Sequence, residues 1–223
     1  MKKLKLRSVI FDMDGVITNT MPYHMRAWRK VFADQNLHVP KFEIYRREGQ
    51  KGIDSVLEIA AGQGRVMPLV DAHKLLSQKE KIFKKIVRAA YIPGSRLFLK
   101  QLKKSGFKLA LVTGTSLHEV RRILPEELFQ LFDVVISGSD VQNGKPHPEP
   151  YLKAIKGLQI RRHEAVVIEN APFGIRSAKK AGLKCFALET SLPNNYLREA
   201  DQIFRSIKDM TDKVEFIFYA CQN

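Results

Sequence analysis

Two aspartates one residue apart, Asp12 and Asp14, close the run Ser8-Val9-Ile10-Phe11-Asp12-Met13-Asp14-Gly15. Carboxylates this close repel each other, and they coexist best when a cation sits beside one or when one holds a proton. Both conditions suit phosphoryl transfer. Three other stretches carry compatible chemistry. Leu109-Ala110-Leu111-Val112-Thr113-Gly114-Thr115 ends an apolar run in hydroxyls and free backbone N–H groups, which suit a phosphoryl oxygen. In Asn143-Gly144-Lys145-Pro146-His147-Pro148-Glu149-Pro150, three prolines fix the backbone around one lysine, a rigid mount for a cation. Val166-Val167-Ile168 runs into Glu169 and Asn170. Each pattern alone also reads as an ordinary turn with a capping acid or a surface lysine.

The elements that must position these residues are legible from periodicity. Val9-Ile10-Phe11 is a short buried strand, and a buried strand delivers its last residues to the sheet edge where ligands bind in open α/β folds. Alternation sends Asp12 and Asp14 to one side, and Gly15 permits a sharp turn. Asn19 or Thr20 is placed to N-cap a helix with Pro22 in its first turn and Met21, Met25, Trp28 and Phe32 on one face. Residues 21–90 show helical periodicity throughout, in four stripes. The last two stripes run over residues 69–76 and 82–90. The final helix carries Lys79, Lys81, Lys84, Lys85 and Arg88 on what reads as a solvated outer face. Gly62-Gln63-Gly64 reads as a turn between helices.

From Ile92-Pro93-Gly94 onward, helices alternate with short apolar strands over residues 107–112, 133–136, 165–168, 184–188 and 202–204. Ser116-Leu117-His118-Glu119 has the form of a capping box. Helices over residues 148–155 and 173–181 are expected to stop at Gly157 and Gly182. This alternation predicts an α/β fold: a Rossmann-like parallel sheet with helices on both faces, built from residues 1–20 and 91–223. The intervening residues are too many for an unstructured loop and predict an inserted helical cap, residues 21–90.

Composition narrows the function classes. The chain has 223 residues, 44% hydrophobic and 27% charged, as in ordinary globular proteins. Cys185 and Cys221 give neither a disulfide framework nor metal-type spacing, which fits a reducing cytoplasm. The basic start, residues 1–7, is followed by an apolar run too short for an export signal, and no stretch approaches a membrane span. The net charge of +15 comes from basic residues spread along the chain, without interleaved aromatics. Nucleic acid is therefore disfavoured as a partner. The field favours anionic, phosphate-bearing substrates, and a monomer is expected.

Phe-Asp-Met-Asp-Gly-Val resembles the first motif of the haloacid dehalogenase superfamily, and the other three stretches resemble its remaining motifs in their order. The resemblance covers essentially the whole chain. It implies a Mg²⁺-dependent phosphohydrolase acting on small phosphorylated metabolites or pyrophosphate. In that reading Asp12 attacks phosphorus, Asp14 is acid and then base, and Thr113 and Lys145 hold the phosphoryl oxygens. Gly114 and Thr115 line the phosphate site, and Asp12, Asp14, Asn170 and Glu169 supply the metal site. Asn170 departs from the commoner pair of acids, although an amide oxygen also ligates Mg²⁺.

The insert is similar to the β-phosphoglucomutase-like branch, through residues 18–24, Ala27-Trp28, Gly49 and Ser55. Gly52 stands where the mutase usually has an arginine for a distal phosphate. Glu48-Gly49-Gln50-Lys51-Gly52 looks more like phosphatases and pyrophosphatases of that branch. His24, Glu48 and Lys51 are the implied substrate contacts. The rival readings are a sugar phosphate mutase and a basic binding protein that has lost activity on the same fold.

Overall fold

The computed structural model describes residues 1–88 and 90–220; Cys221 lies outside them. Its centre is Ser8–Phe11, buried along its whole length and hydrogen-bonded on both sides. The chain opens with β1 (Lys2–Leu6) and this central strand, β2 (Ser8–Phe11). Four helices follow: α1 (Met21–Ala33), α2 (Lys41–Tyr45), α3 (Gly52–Ala61) and α4 (Leu69–Ile86). Then come α5 (Ser95–Lys104), β3 (Lys108–Val112), α6 (Leu117–Ile123), α7 (Glu126–Phe129) and β4 (Val134–Ile136). The remainder is α8 (Glu149–Leu158), β5 (Ala165–Glu169), α9 (Pro172–Lys180), β6 (Lys184–Leu188), β7 (Gln202–Phe204), α10 (Ile207–Lys213) and β8 (Val214–Phe218).

The main sheet has six parallel strands in the order β4-β3-β2-β5-β6-β7. Strand order reverses at β2, so the crevice for a ligand opens beyond its C-terminal end. Phe11 is in register with both Leu111 and Ile168, which brings Asp12 level with Val112 and Glu169. Alternating side chains serve the two faces. Val9 and Phe11 pack with Phe98, Leu99 and Leu102 of α5, while Ile10 packs with Tyr151 of α8 and Ile175 and Ala178 of α9. Each fully buried aliphatic side chain stabilises the fold by about 1.5–3 kcal/mol, which anchors the strand that carries the acids. A third apolar cluster, around Trp28, Phe32, Val56 and Leu75, draws all its buried members from residues 28–75.

Several local expectations need correction. The two stripes over residues 69–76 and 82–90 are one helix, α4, running through to Ile86. Lys79 is buried in it, not solvated. The Ser116 side chain makes no cap hydrogen bond, so the box is not formed, and Glu119 turns towards Lys84 and Arg122. Thr20 occupies the N-cap of α1, but its hydroxyl goes to Asp14 instead of the helix. α8 runs through Gly157, which lies against Val134 so closely that a Cβ would come within 3.0 Å of Cγ2; the turn comes at Gln159, φ 54°. Sequence periodicity also missed the two-stranded parallel sheet of β1 and β8, in which Leu4 and Leu6 point inward and the lysines outward.

Candidate active site

The C-terminal ends of β3, β2 and β5 form one edge, and Lys145 reaches it from the proline-rich loop. Its Nζ donates to Asp12 Oδ1 (2.6 Å), Glu169 Oε1 (2.7 Å) and the Val112 carbonyl (3.1 Å). All three side chains are about 1% exposed, so this charge cluster is sealed from water. Burial alone would lower the Lys145 pKa, but the flanking carboxylates overcome it and keep the ammonium charged. Burial pushes the Asp12 carboxyl well up, against the pull of Lys145 and with the help of Glu169 and Asp14. Tyr151 donates to Glu169 Oε1 (2.8 Å), a partner that sequence reasoning did not find.

Asp14 sits beside Asp12 in a different environment. It accepts from the hydroxyls of Thr20 and of Thr115 (3.0 Å). Burial would raise its pKa, yet His24 and the two hydroxyls together hold it below the usual carboxylate range. His24 stacks on Phe83, with ring centroids 4.0 Å apart. Lys79 Nζ lies 2.9 Å from His24 Nδ1; with the ammonium donating there, the ring proton is on Nε2, 3.4 Å from Asp14 Oδ1. Burial, then the Lys79 charge, lowers the His24 pKa and keeps the ring neutral. Burial likewise brings Lys79 down to about 8. Its ammonium faces the rings of Trp28 and Phe83, each 5.0 Å away.

The donor set fits a hard cation. Asp12 Oδ2, Asn170 Oδ1 and Glu48 Oε1 are buried acceptors with no hydrogen-bond donor. They belong together: Asn170 Nδ2 donates to Glu48 Oε2 (2.9 Å) and Ser191 Oγ (2.8 Å). Burial first, then the charges of Asp12, Asp14 and Glu169, raises Glu48 well above the usual range. Buried acceptors without donors are costly unless a cation meets them, and oxygen-only sets suit Mg²⁺. Among the described residues no group of three His, Cys, Asp or Glu side chains is arranged for a metal, so the site depends on the Asn170 amide. Glu169 Oε1 accepts from Lys145 and Tyr151 and its Oε2 accepts from Asn170 N (2.9 Å) and Ala171 N (3.3 Å), which makes it a charge partner of Lys145 beside Asn170.

Above this floor the segment around residues 47–55 roofs a cavity of about 350 Å³, lined also by Trp28, His73, Lys79, Glu80 and Ser116. Thr115 and Gly114 line it with Asp14, His24, Glu48 and Lys51. Thr113 is buried at the end of β3, and its hydroxyl accepts from Thr115 N (3.1 Å). Gly114 is required by the approach of the cap: a Cβ there would lie 2.6 Å from the Gly49 carbonyl oxygen. Lys51 lines the cavity, but its ammonium donates to the Val141 and Gln142 carbonyls of the core loop. Arg47, not singled out from the sequence, is tied to Glu58 and to Gln50 Oε1 (3.3 Å).

Comparisons with known proteins show the family. The family model of haloacid dehalogenase-like hydrolases matches residues 9–188. The chain belongs to that family. Among haloacid dehalogenase-like relatives, the phosphorylated carbohydrates phosphatase of Thermotoga maritima is 32% identical over 186 residues, 80% of this chain and 83% of that protein. The β-phosphoglucomutase of Bacillus subtilis is 29% identical over 220 residues, 92% of each. A solved structure from Bacteroides vulgatus, provisionally named a β-phosphoglucomutase, superposes with a TM-score of 0.84 at 30% identity, covering 94% of this chain and 88% of that one. No helix among the described residues is long and apolar enough to cross a membrane.

Proposed function

We propose that this haloacid dehalogenase-like hydrolase is a Mg²⁺-dependent phosphatase for small monophosphate esters whose remaining part is uncharged and carries hydroxyl groups. One observation carries the choice of hydrolase over mutase. The lysines and arginines lining the cavity are Arg47, Lys51 and Lys79, and each is committed to a protein partner. Arg47 is paired with Glu58 and Lys51 with two backbone carbonyls, so only Lys79, which makes one hydrogen bond and sits behind His24, keeps donors free, and no pair of cations faces the cavity to clamp the second phosphate of a mutase's bisphosphate intermediate. The same lack disfavours pyrophosphate. Gln50, Ser55, Ser116, Ser139 and His73 in the lining suit neutral hydroxyl groups, and Glu80 and Glu119 beside them disfavour a second anionic group.

The residues divide the work as follows. Asp12, held through Oδ1 by Lys145, attacks phosphorus; the ester P–O bond breaks, and the leaving oxygen takes a proton from Asp14. Asp14 then accepts a proton from the water that splits the aspartyl phosphate, releasing phosphate and restoring Asp12. Asp14 is held ionised before substrate arrives, which suits the second role; the charge of the arriving phosphate raises its pKa so that it carries a proton for the first. Lys145 offsets the charge that builds on the phosphoryl oxygens, with Thr113 and the N–H groups after β3 beside it. Asp12, Asn170, Glu48 and the Asp14 carbonyl would hold Mg²⁺, which supplies charge neutralisation at the transferring group. The cap excludes bulk water.

The test is phosphate release across a panel of sugar and polyol monophosphates, bisphosphates and pyrophosphate with Mg²⁺. Monophosphates should be hydrolysed with the highest kcat/KM. Conversion of glucose 1-phosphate to glucose 6-phosphate without phosphate release would replace this reading with the mutase. Inactivity on the whole panel, with polyanion binding that survives moderate salt, would favour the binding protein.

A further inference from the structure

Lys51 stands at the N-cap of α3, on the loop that roofs the cavity, yet its ammonium crosses to the other domain. Nζ donates to the carbonyl oxygens of Val141 (2.9 Å) and Gln142 (3.0 Å). Those carbonyls lie a few residues before Lys145, on the same loop. Glu149 braces that loop from behind, accepting from Gln142 N (2.9 Å), Asn143 N (2.8 Å) and Asn143 Nδ2 (3.1 Å). The two loops approach closely at glycines, each packed against the lysine of the other loop. A Cβ on Gly49 would lie 2.5 Å from Lys145 Cδ, and one on Gly144 would lie 2.6 Å from Lys51 Cγ and 2.9 Å from Lys51 N. Gly144 itself needs no left-handed backbone, since its φ lies outside the positive region. Its lack of a side chain therefore serves the close approach alone.

We propose that Lys51 is the positioning residue that fastens the cap loop to the Lys145 loop, so that the cavity roof and the active-site ammonium are set in place together. One ammonium bridging two successive carbonyls on the opposite loop ties roof to floor with charge-assisted bonds. It spends donors that a substrate contact would need. A cap that closes through this clasp commits the substrate and excludes bulk water in the step that also presents Lys145. The kinetic part of this inference rests on the phosphatase reading; the conformational part does not.

Lys51→Met keeps the stem and removes the donors; Lys51→Arg restores them. Gly144→Ala attacks the same seam from the core side and serves where Lys51→Met fails to fold. Two readouts need no substrate: the radius of gyration by small-angle scattering, and the emission of Trp28, the only tryptophan, which lines the cavity at 9% exposure. Lys51→Met and Gly144→Ala should be more expanded than wild type, with red-shifted emission. Their kcat/KM should fall about tenfold because the closed cap is less populated, and Lys51→Arg should recover most of the loss. A wild-type radius and emission in both variants would overturn the proposal, even with a lowered melting temperature, since that pattern means plain structural stabilisation. If the wild type releases no phosphate, the functional reading fails and the clasp is decided by scattering and emission alone.

Discussion

Replacing Lys79 by Met removes an ammonium that folding drives out of water. The side chain is 7% exposed, and burial takes its pKa from 10.5 to about 8. That fall corresponds to about 3 kcal/mol against the folded state wherever the lysine is charged in both states. The cation–π contacts with Trp28 and Phe83 give back part of it, about 0.5–2 kcal/mol, so Lys79→Met should be more stable than wild type by about 1–3 kcal/mol at pH 7. The pH dependence has a definite sign. Between pH 8 and 10.5 the unfolded chain binds the lysine proton and the folded one does not, so wild-type stability rises with pH relative to the variant. The advantage of Lys79→Met should therefore shrink across that window. Function moves the other way. Without the ammonium on Nδ1, His24 is free to turn or to protonate, Asp14 loses its orientation, and kcat should fall roughly tenfold. The assay is urea unfolding of both proteins from pH 6 to 10.5, alongside phosphate release. A variant less stable than wild type at pH 7, or an advantage unchanged to pH 10.5, would refute the reasoning.

Two other substitutions probe the floor of the site. Lys145→Met leaves Asp12 and Glu169 as adjacent buried carboxylates without a cation and should cost about 3–5 kcal/mol in urea unfolding, with Glu169→Gln in the same chain recovering part of it. Asn170→Asp replaces the amide that donates to Glu48 with a second carboxylate. The melting temperature should drop without Mg²⁺ and rise more steeply with added Mg²⁺ than in wild type; an unmoved Mg²⁺ response would remove Asn170 from the metal site.

Much of this arrangement was legible because buried strands end abruptly in polar residues. Phe11-Asp12, Val112-Thr113 and Ile168-Glu169 each mark a strand leaving the core, and parallel pairing brings the three ends to one edge. What stayed hidden depends on contacts distant in sequence. The pairing of Glu169 with Lys145 and Tyr151, 24 and 18 residues away, was not visible in the sequence. Lys51 looked like a substrate contact because its partner carbonyls lie 90 residues away. Lys79 left a signal that was readable: it falls on the buried stripe of Ala72, Leu75 and Phe83, at a position where an apolar residue belongs. The β1 and β8 pair left little, since lysines alternating with two leucines read as a charged terminus.

The central claim is that Asp12 attacks phosphorus. Asp12→Asn is nearly isosteric, and Lys145 keeps Glu169 as its charge partner, so the variant should fold with an unchanged circular dichroism spectrum. The decisive measurement is Mg²⁺-dependent phosphate release from the best monophosphate of the panel, wild type against Asp12→Asn under identical conditions. The account predicts a loss of at least about a thousandfold in kcat. A folded Asp12→Asn protein with kcat within a few fold of wild type would contradict it.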